Sequence, residues 1–253
     1  MKIDLVDVRF EDIKKDIILN ITSYSSLIDS YYEDHVIESK HYKISVDNEM
    51  YGYLSIFDEK MLTQYRLLER YLPLANKVFE ELINKNIFSE IYVSTSDKNL
   101  LTVALDYYKT IDVQDYVFQE SQINQCDINF VLKKALKEDK ELIVENSNNF
   151  FKFVDKNIDC GELYIGRYKE ELVSFGIIEN SKLYKSVASI GIFTIEKERG
   201  KNYGAMTIIR LVEECHRIKI EPIAGCFSKN KYSRNAAFKA GMYSNTRLLK
   251  IIL

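Results

Sequence analysis

The same order of elements can be read twice along this chain of 253 residues, and few architectures use one such order twice. In the second half, Glu162 to Tyr168, Leu172 to Ile178 and Tyr184 to Ile195 are runs rich in β-branched and aromatic residues. Lys169-Glu170-Glu171 and Asn180-Ser181-Lys182 separate them, which predicts an antiparallel meander. From Gly204 the apolar residues Ile208, Leu211, Val212 and Cys215 recur at spacings of three and four, the period of an amphipathic helix. Arg217 and Lys219 suit its negative end. Ile220 to Phe227 then reads as a strand, Asn230 caps a short helix that stops at Gly241, and Arg247 to Leu253 closes as a strand.

The first half repeats this order. Strands are expected at His41 to Ser45, Met50 to Phe57 and Met61 to Leu67, followed by a helix opening at Pro73 with Leu74, Val78 and Leu82 on one face. A strand from Glu90 to Val93 and a helix capped by Ser96 or Asp97, with Leu101, Leu105 and Tyr108 inward, come next. Val113 to Gln119 would finish the unit. Residues 10 to 35 read as a helical preface rich in aromatics, and Lys133, Lys134 and Lys137 as a solvated helix face. A tandem duplication explains both halves, with domains at 1–125 and 126–253. The class is α+β, with a mixed sheet.

Composition excludes several functions. With 46% hydrophobic and 29% charged residues the chain has the make-up of a folded domain, and a net charge of -3 offers nucleic acid no clustered cationic face. Four cysteines at unrelated spacings and three histidines make no metal site, so no metal is expected and the thiols read as buried in a reducing compartment. MKIDLVDVRFEDIKKD breaks every apolar run with charge, unlike a signal peptide, and no stretch approaches a membrane span. The expectation is a soluble cytoplasmic protein without nucleic-acid or membrane partners.

Only Gly52 precedes residue 160; the other eight glycines follow. Among them stands Arg199-Gly200-Lys201-Asn202-Tyr203-Gly204-Ala205, between a strand and a helix. A strand that passes through such a turn into a helix N-terminus aims backbone N–H groups outward, which suits a phosphate or pyrophosphate. It is neither a Walker loop nor a dinucleotide fingerprint, whose spacings are missing.

This turn resembles the Arg/Gln-x-x-Gly-x-Gly/Ala pyrophosphate loop of the GNAT acetyltransferases. Arg199 fills the first position and Gly204 the last, while Asn202 replaces the middle glycine; Asn best tolerates the left-handed backbone a glycine would supply. Downstream, Asn230-Lys231-Tyr232-Ser233 through Lys239-Ala240-Gly241-Met242 is similar to the Asn-x-x-Ser/Ala and Lys-x-Gly-Phe/Met segment of the same superfamily. The resemblance covers roughly residues 160 to 253. It implies tandem GNAT-like domains, each a mostly antiparallel sheet flanked by helices, with acetyl-CoA (coenzyme A) as cofactor.

By the same resemblance, Arg199, Gly200, Lys201, Asn202, Tyr203, Gly204 and Ala205 grip the pyrophosphate. Phe193 and Thr194, on the strand before the turn, hold pantetheine and the acetyl carbonyl, and Asn230 and Ser233 face the pantetheine arm. The first half looks like a degenerate copy, because Tyr65 to Leu72 occupies the loop's place without a glycine.

The implied activity is N-acetyl transfer from acetyl-CoA to a primary amine of a small molecule or peptide. The amine attacks the thioester directly, helped by positioning and by backbone hydrogen bonds to the developing oxyanion. An amine with a pKa of about 10.4 must lose its proton first, for which Glu179, Glu196 and Glu198 are candidate bases. Many relatives place a tyrosine seven residues after the motif's Asn to protonate the thiolate; here that position is Ala237, so Tyr232 or Ser233 would substitute.

Plainer roles stand beside these. Each glutamate can be a solvated charge, Tyr203 a packing residue, His216 a helix-end charge partner and Cys226 a buried thiol. The tyrosines of the first half, such as Tyr24, Tyr31, Tyr32, Tyr51 and Tyr53, pack and cap hydrogen bonds or line an acceptor cleft. A non-catalytic acyl-CoA sensor is the alternative function. A monomer or weak homodimer is expected.

Overall fold

The computed structural model describes residues 2–253. The chain divides into two compact units, Met1–Tyr116 with Thr246–Leu253, and Val117–Asn245. Each is a mostly antiparallel sheet flanked by helices.

The first unit begins with β1 (Ile3–Val8), α1 (Phe10–Thr22), α2 (Ser30–Ile37), β2 (Lys40–Val46), β3 (Glu49–Phe57) and β4 (Met61–Leu67). A 3-10 turn at Glu69–Leu74 leads into α3 (Ala75–Asn84), β5 (Glu90–Ser94), α4 (Lys98–Ala104) and the opening part of β6 (Thr110–Glu120). β1 to β4 pair antiparallel in sequence order, whereas β4 and β5 pair parallel through Met61↔Glu90 and Leu62↔Ile91. Leu54, Leu62, Val78, Phe79, Leu82, Ile91, Val93 and Leu100 form the core.

The second unit contains β7 (Phe130–Lys134), α5 (Lys140–Asn146), α6 (Val154–Asp159), β8 (Leu163–Tyr168), β9 (Glu171–Asn180) and β10 (Val187–Thr194). After them come α7 (Tyr203–Arg217), β11 (Glu221–Phe227), α8 (Lys231–Ala240) and β12 (Met242–Ile252). β7, β8, β9 and β10 are antiparallel neighbours, and β10 pairs parallel with β11. α7 buries Ile208, Leu211, Val212 and Cys215, the periodic face read from the sequence.

Several expectations change. The helix expected from Pro73 starts as a 3-10 turn and becomes α-helical only at Ala75, leaving Leu74 exposed. α4 is capped by Asp97, whose carboxylate accepts from Leu100 N, and ends at Ala104. Leu105 and Tyr108 lie beyond it and are exposed, so the inner face is Leu100, Val103 and Ala104. Lys133 and Lys134 belong to the strand β7 rather than a helix face. β7 ends the strand order beside β8, and lysines suit a short edge strand because charge discourages further pairing. β1 was not anticipated either.

The unit boundaries fall at 116/117 and 245/246, where the sequence suggested a single division at 125/126. The reason lies in β12, an eleven-residue strand: its end pairs with β5 from Leu248↔Ser94 to Ile252↔Glu90, and Ile251 is buried in the first core.

Candidate functional site

β10 and β11 are in register only at Val187↔Glu221, Ala188↔Pro222 and Ser189↔Ile223. Beyond Ser189, β10 keeps its partner β9 as far as Thr194↔Ser174. The edge of Ile190–Thr194 away from β9 therefore borders an opening, a cavity of about 760 Å3 lined on one side by Ile192, Phe193 and Thr194. Successive strand side chains alternate in direction. Ile192 and Thr194 point towards α7, where a Cβ on Gly204 would lie 3.1 Å from Ile192 Cδ1 and 3.2 Å from Thr194 Oγ1. Phe193 belongs to the core formed with Phe151, Val154 and Phe175.

The turn after β10 supplies the next wall. Gly200 has φ +83°, with nothing within 4 Å of a Cβ placed there, and Asn202 is left-handed at φ 67°, ψ 6°. α7 starts at Tyr203, and its first backbone hydrogen bond outside the helix interior runs from Met206 N to Asn202 O at 3.1 Å. Asn202 makes no side-chain cap, so the N–H groups of Tyr203, Gly204 and Ala205 stand at an uncapped helix end that lines the cavity. The Asn202 Oδ1 instead accepts from Lys239 Nζ of α8 at 2.7 Å. Arg199 Nε donates to Thr194 O at 3.4 Å, and its guanidinium lies 5.9 Å from the Phe193 ring centre.

α8 makes the third wall. Asn230 Oδ1 accepts from Ser233 N at 3.1 Å and starts this helix, and Tyr232 and Ser233 reach the cavity from its first turn. The expected Phe193, Thr194, Arg199, Gly200, Asn202, Tyr203, Gly204, Ala205, Asn230, Tyr232 and Ser233 are thus brought together.

Lys201, Glu179 and Glu196 are not among the lining residues. Lys201 Nζ turns to Glu198 at 3.0 Å. Glu196 is solvated and 3.9 Å from Arg199 Nη1. Glu179 faces Ser189, and at about 3.3 Å per residue it stands about 10 Å along the strand from the level of Ile192.

The sequence reading missed Phe150, Ile192, Asn235, Ala236 and Lys239. Tyr232, Asn235, Ala236 and Lys239 recur at helical spacing, so extending the Asn230 motif along its face would have found the last three. Phe150 carries no such signal. Arg199 and Lys239 are the charged lining residues, which makes the cavity cationic.

The plainer roles hold elsewhere. His216 Nε2 lies 2.6 Å from Glu120 Oε2, Tyr203 packs against Tyr168 with ring centres 5.3 Å apart, and Cys226 is buried with its Sγ 3.5 Å from Asn230 O. Burial pushes the Cys215 thiol up to about 12. No cluster of His, Cys, Asp or Glu among the described residues could hold a metal ion.

In the first unit the parallel strands β4 and β5 part in the same way after Leu62↔Ile91. There the gap is filled. Tyr32 of α2, 2% exposed, donates its hydroxyl to Thr63 O at 2.7 Å and lies 3.1 Å from Tyr92 O, spanning the diverging strands. Gln64, the next residue of β4, is held by Asn20 Nδ2 at 2.8 Å, and Tyr24 donates to Asp97 at 2.6 Å. Burial raises the pKa of Asp97, and the Tyr24 hydrogen bond opposes part of that rise.

Residues 9–121 match the family model described as an acetyltransferase (GNAT) domain. The chain also superposes on solved structures. An acetyltransferase of the GNAT family from Colwellia psychrerythraea is 18% identical over 100% of both chains, with a TM-score of 0.87. An N-acetyltransferase of the same kind from Sphaerobacter thermophilus is 12% identical, covering 98% of this chain and 95% of that one, with a TM-score of 0.61. A tandem GNAT protein from the clavulanic acid biosynthesis pathway is 9% identical over 100% and 98%, with a TM-score of 0.60. No curated protein matches the chain. No helix among the described residues is long and apolar enough to cross a membrane.

Proposed function

We propose that this chain, which has the fold of the GNAT superfamily over its whole length, is an acyl-CoA-dependent N-acetyltransferase working from its second unit. The acceptor is a primary amine of a small molecule or peptide. The uncapped N-terminus of α7 carries this reading. It opens into a cationic cavity beside a strand edge freed by the parting of β10 and β11.

The residues present fit acetyl-CoA. The N–H groups of Tyr203, Gly204 and Ala205 would hold the pyrophosphate, with Arg199 and Lys239 adding charge. Gly204 lets the helix end sit against Ile192 and Thr194, where the gaps leave room for no larger side chain without movement. On the free edge it is Ile192 and Thr194 whose backbone N–H groups face the pantetheine arm and the acyl carbonyl oxygen, because the odd-numbered residues of β10, Phe193 among them, bond to β9 as Ile195 N does to Val173 O; Phe193 lines the arm with its side chain, and Asn230 and Ser233 flank it.

Bound acetyl-CoA supplies an activated acyl group as a thioester. Glu179 and Glu196 stand outside the cavity and reach an amine there only through water, so proton removal runs by a water chain. Tyr232 and Ser233 present hydroxyls that can return a proton to the departing sulfur. The same reading takes the protein as cytoplasmic, monomeric or weakly dimeric, and without nucleic-acid or membrane partners.

A second reading is a non-catalytic acyl-CoA sensor. It is favoured by Ala237, buried at the position where relatives carry a proton-donating tyrosine. Turnover with any amine decides against it.

The test is thermal unfolding of the wild type and of Gly204→Glu, with and without acetyl-CoA. At a hundred times its dissociation constant the ligand should add about 2.7 kcal/mol to the wild type. The variant places a carboxylate at the helix end and should lose that gain. A wild type that acetyl-CoA does not stabilise sinks the proposal.

A further inference from the structure

We infer that the amine acceptor carries an aromatic or bulky apolar body that packs on Phe150, and that this side chain sets the acceptor preference. The inference rests on the acetyltransferase reading above.

Phe150 lines the cavity and is 51% exposed, so one face of its ring is open to what the cavity holds. It is held in place. Its ring centre lies 5.4 Å from that of Phe193, and it meets Phe151 edge-on at 5.0 Å and 88°. Phe151, 7% exposed, meets Phe175 edge-on at 6.3 Å and 89°. A chain of rings in favourable geometry therefore runs from the cavity into the core, and the exposed end is a preorganised wall rather than a loose side chain.

Strand alternation assigns the wall to the acceptor. Ile192 and Thr194 face α7, the side on which the uncapped helix end would hold the cofactor's phosphates. Phe193 projects to the opposite side, where Phe150 packs on it. An amine approaching a thioester laid along this edge comes from the side the phosphates do not occupy, and there it meets Phe150.

The experiment compares phenethylamine and butylamine as acceptors for wild type, Phe150→Leu and Phe150→Ala, at saturating acetyl-CoA. Acetyl-CoA thermal shifts are recorded for all three proteins, and propionyl-CoA is run beside acetyl-CoA. The wild type should favour phenethylamine over butylamine by about tenfold in kcat/KM, the worth of one aromatic pair. Phe150→Ala should bring the two amines close to equal through KM, Phe150→Leu should keep part of the preference, and the acetyl-CoA shift should not change.

Turnover without an aryl preference, or a preference unaltered in Phe150→Ala, overturns this inference alone. A variant whose only change is better use of propionyl-CoA overturns it too, placing the ring at the acyl pocket. If acetyl-CoA stabilises the protein but no amine is consumed, the transferase reading and this inference fall together.

Discussion

Lys239 Nζ donates a 2.7 Å hydrogen bond to Asn202 Oδ1, joining the last turn of α8 to the residue that opens α7. The left-handed Asn202 is thereby held by a neighbour 37 positions away, and the backbone N–H groups behind it stay aimed at the cavity.

Asn202→Gly should keep the turn, because glycine adopts φ 67° without strain. Asn202→Val should cost about 1–3 kcal/mol of stability, as a β-branched residue forced into that region. It should also weaken the stabilisation by acetyl-CoA. Lys239→Ala removes both the clamp and a cavity cation, and its loss of acetyl-CoA affinity should shrink as salt is raised. Thermal shifts at two ionic strengths check all three.

Tyr32→Phe leaves the carbonyls of Thr63 and Tyr92 without the hydroxyl that spans them. With the site fully buried, the expected cost is about 1–3 kcal/mol. Because the first unit fills its own strand gap, calorimetry should find one acetyl-CoA per chain in the wild type and in this variant. Two per chain would mean that the first unit takes up cofactor despite Tyr32.

Asp115 is buried near Asp29, and burial first, then the neighbouring carboxylate, raises its pKa to about 7. Its unfolded-state value lies near 3.9. Between these values the native state binds more protons than the unfolded one, so stability falls as pH rises through this window. Asp115→Asn removes that dependence. Its melting temperature should gain on the wild type from about pH 4 to about pH 7, and the gain should level off above. Melting curves across pH 4 to 8 read this directly, and a gain that shrinks with rising pH contradicts it.

Much of the fold was legible in the residues. The three-strand meanders, α7 with its buried Ile208, Leu211 and Val212, and the caps at Asp97 and Asn230 all follow from periods and side chains acting within about four positions. The left-handed Asn202 was readable from the resemblance of its turn to a loop with glycine at that position, since Asn tolerates this backbone. Where an expectation failed, as at Pro73, Leu105 and Lys133, a local pattern admitted two readings and packing chose the other.

The sequence by itself determined the local geometry of the turn before α7 and the succession of strands and helices, because backbone angles, caps and side-chain periods are settled over short spans. Only the tertiary structure decided which strand gap is open. Tyr32 reaches from α2 to close the gap of the first unit, while Phe150 comes from a distant segment to wall the open one in the second. Those outcomes depend on where non-adjacent segments pack, and no short-range pattern in the chain encodes that.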